Sequence, residues 1–162
     1  MTALRVSEAT AAELDLLADL YGQSFDEPYP RPALNVLLAS PGALALICWI
    51  ELPEGGRPVG FAVVRAVAGE GEILSLGVAA RYRRRGAGDA VLRASLERLG
   101  ASGAAAVFLE VGADNPAAIG LYRKAGFESV GRRKGYYLRR DRRRVDALIM
   151  RTTVKNTCSS WK

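Results

Sequence analysis

The stretch from Ile73 to Gly88 constrains the fold more than any other part of the chain. Ile73 to Val78 is an apolar strand, followed by a short polar elbow. The turn Arg83-Arg84-Arg85-Gly86-Ala87-Gly88 then leads into a helix predicted from Ala87 to Leu99. Gly86 and Gly88 let the backbone approach a ligand with no Cβ in the way. The first turn of the helix leaves N–H groups without carbonyl partners and carries a partial positive charge, which suits an anion such as a diphosphate. The same residues also fit an ordinary tight turn beside a solvated basic run. A dinucleotide loop fits poorly: residue 91 is Val where a third Gly belongs, and Gly86 stands eight residues after Val78.

The 162 residues suit one domain, expected over 1–155, with a polar tail at 156–162. No apolar run approaches the roughly 18–20 residues that cross a bilayer, and the N-terminus lacks a signal-peptide layout, so a cytoplasmic protein is expected. Histidine is absent. That excludes Ser-His and Cys-His hydrolases, histidine zinc sites and histidine bases, and no metal is expected. Cys48 sits in an apolar run and reads as a core residue; Cys158 lies in the polar tail. Charge is uneven: residues 1–80 hold 4 basic and 10 acidic residues, while 81–162 hold 19 and 7. A basic half beside an acidic half points to an anionic ligand on one side of the molecule.

Taken in order, Leu4 to Glu8 begins a first strand, and Thr10 with Glu13 forms a capping box. Leu14, Leu17, Ala18 and Tyr21 recur at helical spacing until Pro28, Pro30 and Pro32 intervene. The Asp26 to Tyr29 loop reads either as a plain connection or as a substrate-facing lip. A short helix is predicted over Ala33 to Ala39. Strands follow at Ala43 to Glu51, Val59 to Val67 and Glu72 to Val78, the first two joined by a long loop from Pro53 to Pro58. After the glycine turn and its helix, which Gly100 and Gly103 should end, comes a strand from Ala105 to Val111. Asn115-Pro116 opens another helix, with Ala118, Leu121 and Ala125 as its expected inner stripe. Phe127 to Gly131 and Ala147 to Val154 are the last strands, spanned by the arginine-rich segment from Arg132 to Arg144. The order is strand, two helices, three strands, helix, strand, helix, two strands. A helix joining the fourth and fifth strands favours a parallel pair within an otherwise antiparallel sheet. The fold class is α/β with a mixed, mostly antiparallel twisted sheet of about seven strands and about four helices.

Glu110 lies near the C-terminal end of its strand, where open α/β sheets place ligand crevices. A carboxylate among apolar residues is costly to desolvate unless paired or functional. It reads either as an edge-facing or salt-bridged Glu, an arginine being one candidate partner, or as a general base for an ammonium. Tyr122 stands seven residues past Asn115, two helical turns, so the two share a helix side. It reads either as an amphipathic surface aromatic or as a proton donor to a thiolate.

Together these motifs resemble the GCN5-related N-acetyltransferase (GNAT) superfamily. The signature Arg/Gln-x-x-Gly-x-Gly/Ala matches Arg83 to Gly88. Leu109-Glu110-Val111, Asn115 to Tyr122, Gly126-Phe127, Tyr136-Tyr137 and Asp146 to Met150 look similar to the branch of bacterial ribosomal-protein-alanine N-acetyltransferases. The resemblance implies the GNAT fold and acetyl-CoA as cosubstrate. Acetyl-CoA would lie along Leu76, Gly77 and Val78, with its diphosphate on the loop of Arg83, Arg84, Arg85, Gly86, Ala87, Gly88 and Asp89. Asn115 and Tyr122 would also contact it. It further implies Glu110 as general base and Tyr122 as general acid, in a direct attack by the α-amine of a protein N-terminus, with a ribosomal protein's N-terminal alanine leading. A small amine or a lysine side chain is the alternative acceptor. A non-catalytic ribosome- or RNA-associated module using Arg132 to Arg144 is the alternative class; a membrane partner is not expected. The chain departs from the branch at Gly135 and Leu138, where Asn and Pro usually flank the tyrosine pair.

Overall fold

The computed structural model describes residues 3–24 and 31–154. Strand β1 (Leu4–Glu8) leads through a single 3-10 turn (Ala11–Glu13) into helix α1 (Leu14–Ser24). The capping box forms: the Thr10 N–H donates to a Glu13 carboxylate oxygen at 3.0 Å. Helix α2 (Arg31–Ala39) follows, then β2 (Ala43–Leu52), β3 (Gly55–Val67) and β4 (Glu70–Val78). A second 3-10 turn (Ala80–Tyr82) precedes α3 (Ala87–Ala101), β5 (Ala106–Gly112), α4 (Pro116–Lys124), β6 (Glu128–Leu138) and β7 (Arg144–Thr153). The sheet order is β1-β2-β3-β4-β5-β7-β6, with β4 and β5 parallel and the other neighbours antiparallel. The predicted mixed sheet and the crossover through α3 are therefore both present.

Two apolar layers sandwich the sheet. On one face α3 and α4 bury Val91, Leu92, Leu99, Ile119 and Tyr122 against Leu109, Val111, Leu148 and Met150. On the other, α1 and α2 bury Leu17, Leu20, Tyr21 and Leu34 against Ile47, Phe61 and Val63. Burying side chains of this size contributes about 1.5–3 kcal/mol each. Phe61 and Phe127, the largest fully buried side chains among the described residues, are thus where a truncation to Ala would cost most.

Several boundaries differ from expectation. The first hairpin closes in a two-residue turn at Pro53-Glu54, because Gly55 takes φ +121° and the strand resumes at once. Pro58 is tolerated within β3 because it sits at the register shift opposite Trp49, where the ladder is already irregular. Gly100 lies inside α3, which ends at Ser102 and the left-handed Gly103 (φ +94°). The fully buried residues of α4 are Ile119 and Tyr122, with Ala118, Leu121 and Ala125 only partly covered. The largest difference is the arginine-rich segment. It is not a loop but most of a hairpin, with β6 running to Leu138 and a turn at 139–143. The Asp26 to Tyr29 loop and the 156–162 tail lie outside the described residues.

Candidate active site

The site begins with a break in the sheet. β4 and β5 pair in register from Glu70↔Ala106 to Ile73↔Leu109, and the pairing stops there. On the other side of β4, Val63 and Val64 face Ser75 and Ile73, so Leu74 is an extra, bulged residue. A bulge bends its strand, and this one sits where β4 leaves β5. The two strands splay into a wedge with Leu76–Val78 on one wall and Glu110–Gly112 on the other.

The backbone on the β4 wall has a defined phase. Ala79 N–H donates to Val59 O at 2.9 Å, which makes that pair, and Gly77–Phe61 two residues earlier, hydrogen-bonded pairs. By antiparallel alternation, the backbone groups of Leu76 and Val78 then point away from β3 into the wedge. The Val78 carbonyl accepts from Arg83 Nε at 3.3 Å. The Leu76 N–H and C=O and the Val78 N–H therefore edge an opening in which a ligand strand or amide would complete the ladder.

The glycine turn stands at the end of β4. Gly86, the N-cap of α3, takes φ +88°, and the first helical bond runs from Ala90 N–H to Gly86 O at 3.0 Å. The N–H groups of Ala87, Gly88 and Asp89 precede any intrahelical donor, and such an end is suited to an anion. A Cβ on Gly88 would lie 3.3 Å from Leu121 Cδ2 and 3.7 Å from Val78 Cγ2, so this glycine lets α3, α4 and β4 converge. The three arginines divide. Arg83 clips the loop to the body through Val78 O and, at 3.0 Å, Ser24 O. Arg85 and Arg81 stack on Tyr82 at 5.6 and 5.9 Å, and Arg57 Nη1 donates to the Tyr82 hydroxyl at 2.9 Å. That hydrogen bond is the main reason the Tyr82 phenol lies below its usual range. Arg84 adopts φ +63°, an uncommon conformation for a side-chain-bearing residue.

Glu110 and Tyr122 lie on opposite faces of the sheet. Leu109 and Val111 belong to the layer under α3 and α4, so strand alternation puts Glu110 on the α1–α2 face. There α1 lies over β3 and β4 and α2 over β2. Phe108, Glu110 and Ile149 accordingly remain partly exposed on an open bed formed by β5 and β7. Glu110 Oε1 meets Arg133 Nε at 2.8 Å, the salt-bridged form that its apolar setting allowed. Tyr122 lies under α4 with 7% exposure, in an edge contact with Phe127 at 5.8 Å. Burial, with a smaller effect of neighbouring Tyr137, pushes its phenol up to about 12, so it keeps its proton throughout the neutral range. Asn115 does not extend toward the wedge as a free side chain: its Oδ1 caps α4, accepting from Ala118 N–H at 3.2 Å.

The β6–β7 hairpin supplies residues that local patterns did not reveal. Asp146 accepts from Gly135 N–H at 2.8 Å and from Arg132 at 2.7 Å, which holds its carboxyl below the usual range and pins the irregular stretch between Arg133 and Tyr137. Arg139 grips Asp114 through two bonds, at 3.0 and 2.7 Å, and lies over Tyr137 at 5.1 Å. The partners of Arg133 and Arg139 come from β5 and the loop after it, far along the chain, which is why no local signal marks them. Among the described residues, no group of His, Cys, Asp and Glu is arranged to hold a metal ion.

The chain is similar to known proteins in sequence and fold. The family model described as acetyltransferase (GNAT) family matches residues 14–127. The N-alpha-acetyltransferase RimI of Mycobacterium tuberculosis is 37% identical over 138 residues, 82% of this chain and 83% of that protein. The ribosomal protein bS18-alanine N-acetyltransferase of Escherichia coli K12 is 37% identical over 100 residues, 62% of this chain and 67% of its own length. The crystal structure of the Escherichia coli ribosomal-protein-S18-alanine N-acetyltransferase superposes with a TM-score of 0.84 at 25% identity, covering 94% of this chain and 95% of that one. A sheet opened by a bulge beside a glycine-capped helix is thus the framework of an enzyme: the chain belongs to the acetyltransferase (GNAT) family, whose acetyl donor is acetyl-CoA.

Proposed function

We propose that this enzyme acetylates the α-amine of a protein N-terminus in the cytoplasm, with the N-terminal alanine of a ribosomal protein as the leading acceptor. The observation that carries the reading is the wedge with Glu110 on its open face and Tyr122 on its covered face. The named activities of the bacterial relatives support the acceptor class. In this reading acetyl-CoA enters from the α3–α4 side. Its diphosphate lies on the N–H groups of Ala87, Gly88 and Asp89, its amide chain runs along Leu76 to Val78, and Arg84 and Arg85 add charge around the loop.

The acceptor amine arrives over the open bed. Glu110 takes a proton from the ammonium, and the freed nitrogen attacks the thioester carbonyl. A wedge-facing N–H of Leu76 or Val78 stabilises the oxygen as it gains charge, work that about 3 kcal/mol of rate typically depends on. As the new C–N bond forms, the C–S bond breaks and Tyr122 gives its proton to the departing sulfur; the nitrogen then loses its second proton to water, and the Tyr122 phenolate takes a proton back from water. Because the phenol is held up to about 12, this donor stays charged with its proton across the assay range. Activity should therefore show no loss on the alkaline side up to about pH 10.

The acceptor is tested by incubating the enzyme with acetyl-CoA and three substrates: a peptide beginning with Ala, the same peptide with a blocked N-terminus and an internal Lys, and small primary amines. Thiol release is expected fastest with the free Ala N-terminus. Faster turnover of the blocked Lys peptide or of an amine would replace the acceptor class.

A further inference from the structure

Glu110 does not sit alone on the acceptor face. Arg133 forms an ion pair with one of its oxygens, Oε1, which lies 2.8 Å from Nε. Arg133 is itself oriented. Its guanidinium lies over the Tyr136 ring at 5.2 Å, and Tyr136 packs edge-on against Tyr137 at 5.1 Å. Strand alternation would ordinarily put residues 133 and 136 on opposite faces. They meet because the register slips between Arg133↔Ala147 and Tyr137↔Val145, and Gly135 turns with φ +60°. Asp146 pins that slip through Gly135 N–H and Arg132, and Arg144 Nη1 donates to Gly135 O at 3.2 Å. The irregular strand, including the Gly135 that departs from the family pattern, thus has a product: a cation delivered to one oxygen of the carboxylate.

We propose that Arg133 is a positioning residue, fixing Glu110 through Oε1 so that Oε2 meets the acceptor ammonium. This rests on the reading of Glu110 as the base. A carboxylate on an exposed strand face has several rotamers, and a displacement on the order of 1 Å at a reacting group costs about 100-fold in rate. Arg133 removes that freedom without touching acetyl-CoA or the reacting atoms. Its side chain, half exposed, contributes little to stability by the pair alone.

The test is a double-mutant cycle in the full chain, with acetyl-CoA and an Ala-initiated peptide, using Arg133→Ala, Arg133→Lys, Glu110→Gln and the doubles. Arg133→Ala is expected to lower kcat by about 10- to 30-fold, less than the roughly 100- to 10,000-fold of a whole general-base contribution, with acetyl-CoA affinity and the melting midpoint nearly unchanged. Arg133→Lys keeps the charge and should recover part of the loss. In the Glu110→Gln background the same Arg133 substitutions should do nothing further, because the group they position no longer takes the proton. Should Arg133→Ala fail to fold, the cycle is read from Arg133→Lys alone. An unchanged kcat in Arg133→Ala, or an equal loss in both backgrounds, would overturn the proposal while leaving the base intact. Full activity of Glu110→Gln would instead overturn the reading beneath it.

Discussion

Two arginine-rich segments flank the wedge, and they are built in different ways. The turn from Arg83 to Gly88 is shaped by its own backbone: Gly86 at φ +88°, Arg84 at φ +63°, and a helix starting at the next residue. The hairpin from Arg132 to Arg144 is shaped by distant carboxylates, with Glu110, Asp114 and Asp146 each held by one of its arginines. In the first, the backbone sets the shape and the charges accompany it. In the second, the charges are the architecture. Counting arginines would not separate them; asking what each guanidinium touches does.

The comparison can be broken most sharply at the turn. Gly86→Val puts a β-branched residue at φ +88°, and strain of about 1–3 kcal/mol should weaken acetyl-CoA binding by about 10- to 100-fold. Arg84→Ala should cost less than about fivefold, the scale of an exposed charge. Isothermal titration of both variants checks the ranking, and equal losses would mean that charge, not backbone, governs the turn.

At the hairpin the ranking reverses. A Cβ on Gly112 would lie 2.5 Å from Arg139 Nη2 and 2.6 Å from Asp114 Oδ1, so Gly112→Ala should force that clasp apart. Urea unfolding is expected to show a loss of about 1 kcal/mol. Acid should act in the same place. Asp114 and Asp146 are held below the ordinary carboxylate range, chiefly by the Arg139 bond and the Gly135 N–H respectively. Their stabilisation is present above the unfolded carboxylate value and is lost as pH falls through the depressed folded values. Amide-protection measurements should therefore see the β6–β7 hairpin loosen in acid before the Gly86 turn does. The smallest effect is expected at Arg142, where φ +68° favours glycine; Arg142→Gly should stabilise by at most about 1 kcal/mol.

The same division explains what was legible in the sequence. Asn115-Pro116, Thr10 with Glu13, and Gly86 announce local geometry, and each stands where it was expected. The parallel β4–β5 pair followed from element order, because a helix between two strands calls for one, whereas the place of β7 between β5 and β6 did not. Pro53 to Pro58 and Arg132 to Arg144 misled for one reason. Turn-forming and charged residues suggest loops, but pairing partners across the sheet kept most of both stretches in strands, leaving only short turns. Glu110 was visible as an anomaly in an apolar strand. Arg133, which meets it, was not, because its partner lies more than twenty residues upstream across β7.

The central claim is that acetyl transfer runs through Glu110 on the open face of the wedge. Its most direct test is the single-turnover rate of Glu110→Gln with acetyl-CoA and an Ala-initiated peptide. The substitution keeps the shape of the side chain and an oxygen for Arg133. A fall of about 100-fold or more, with acetyl-CoA affinity unchanged, is the predicted result. A rate equal to that of the wild-type chain would contradict it.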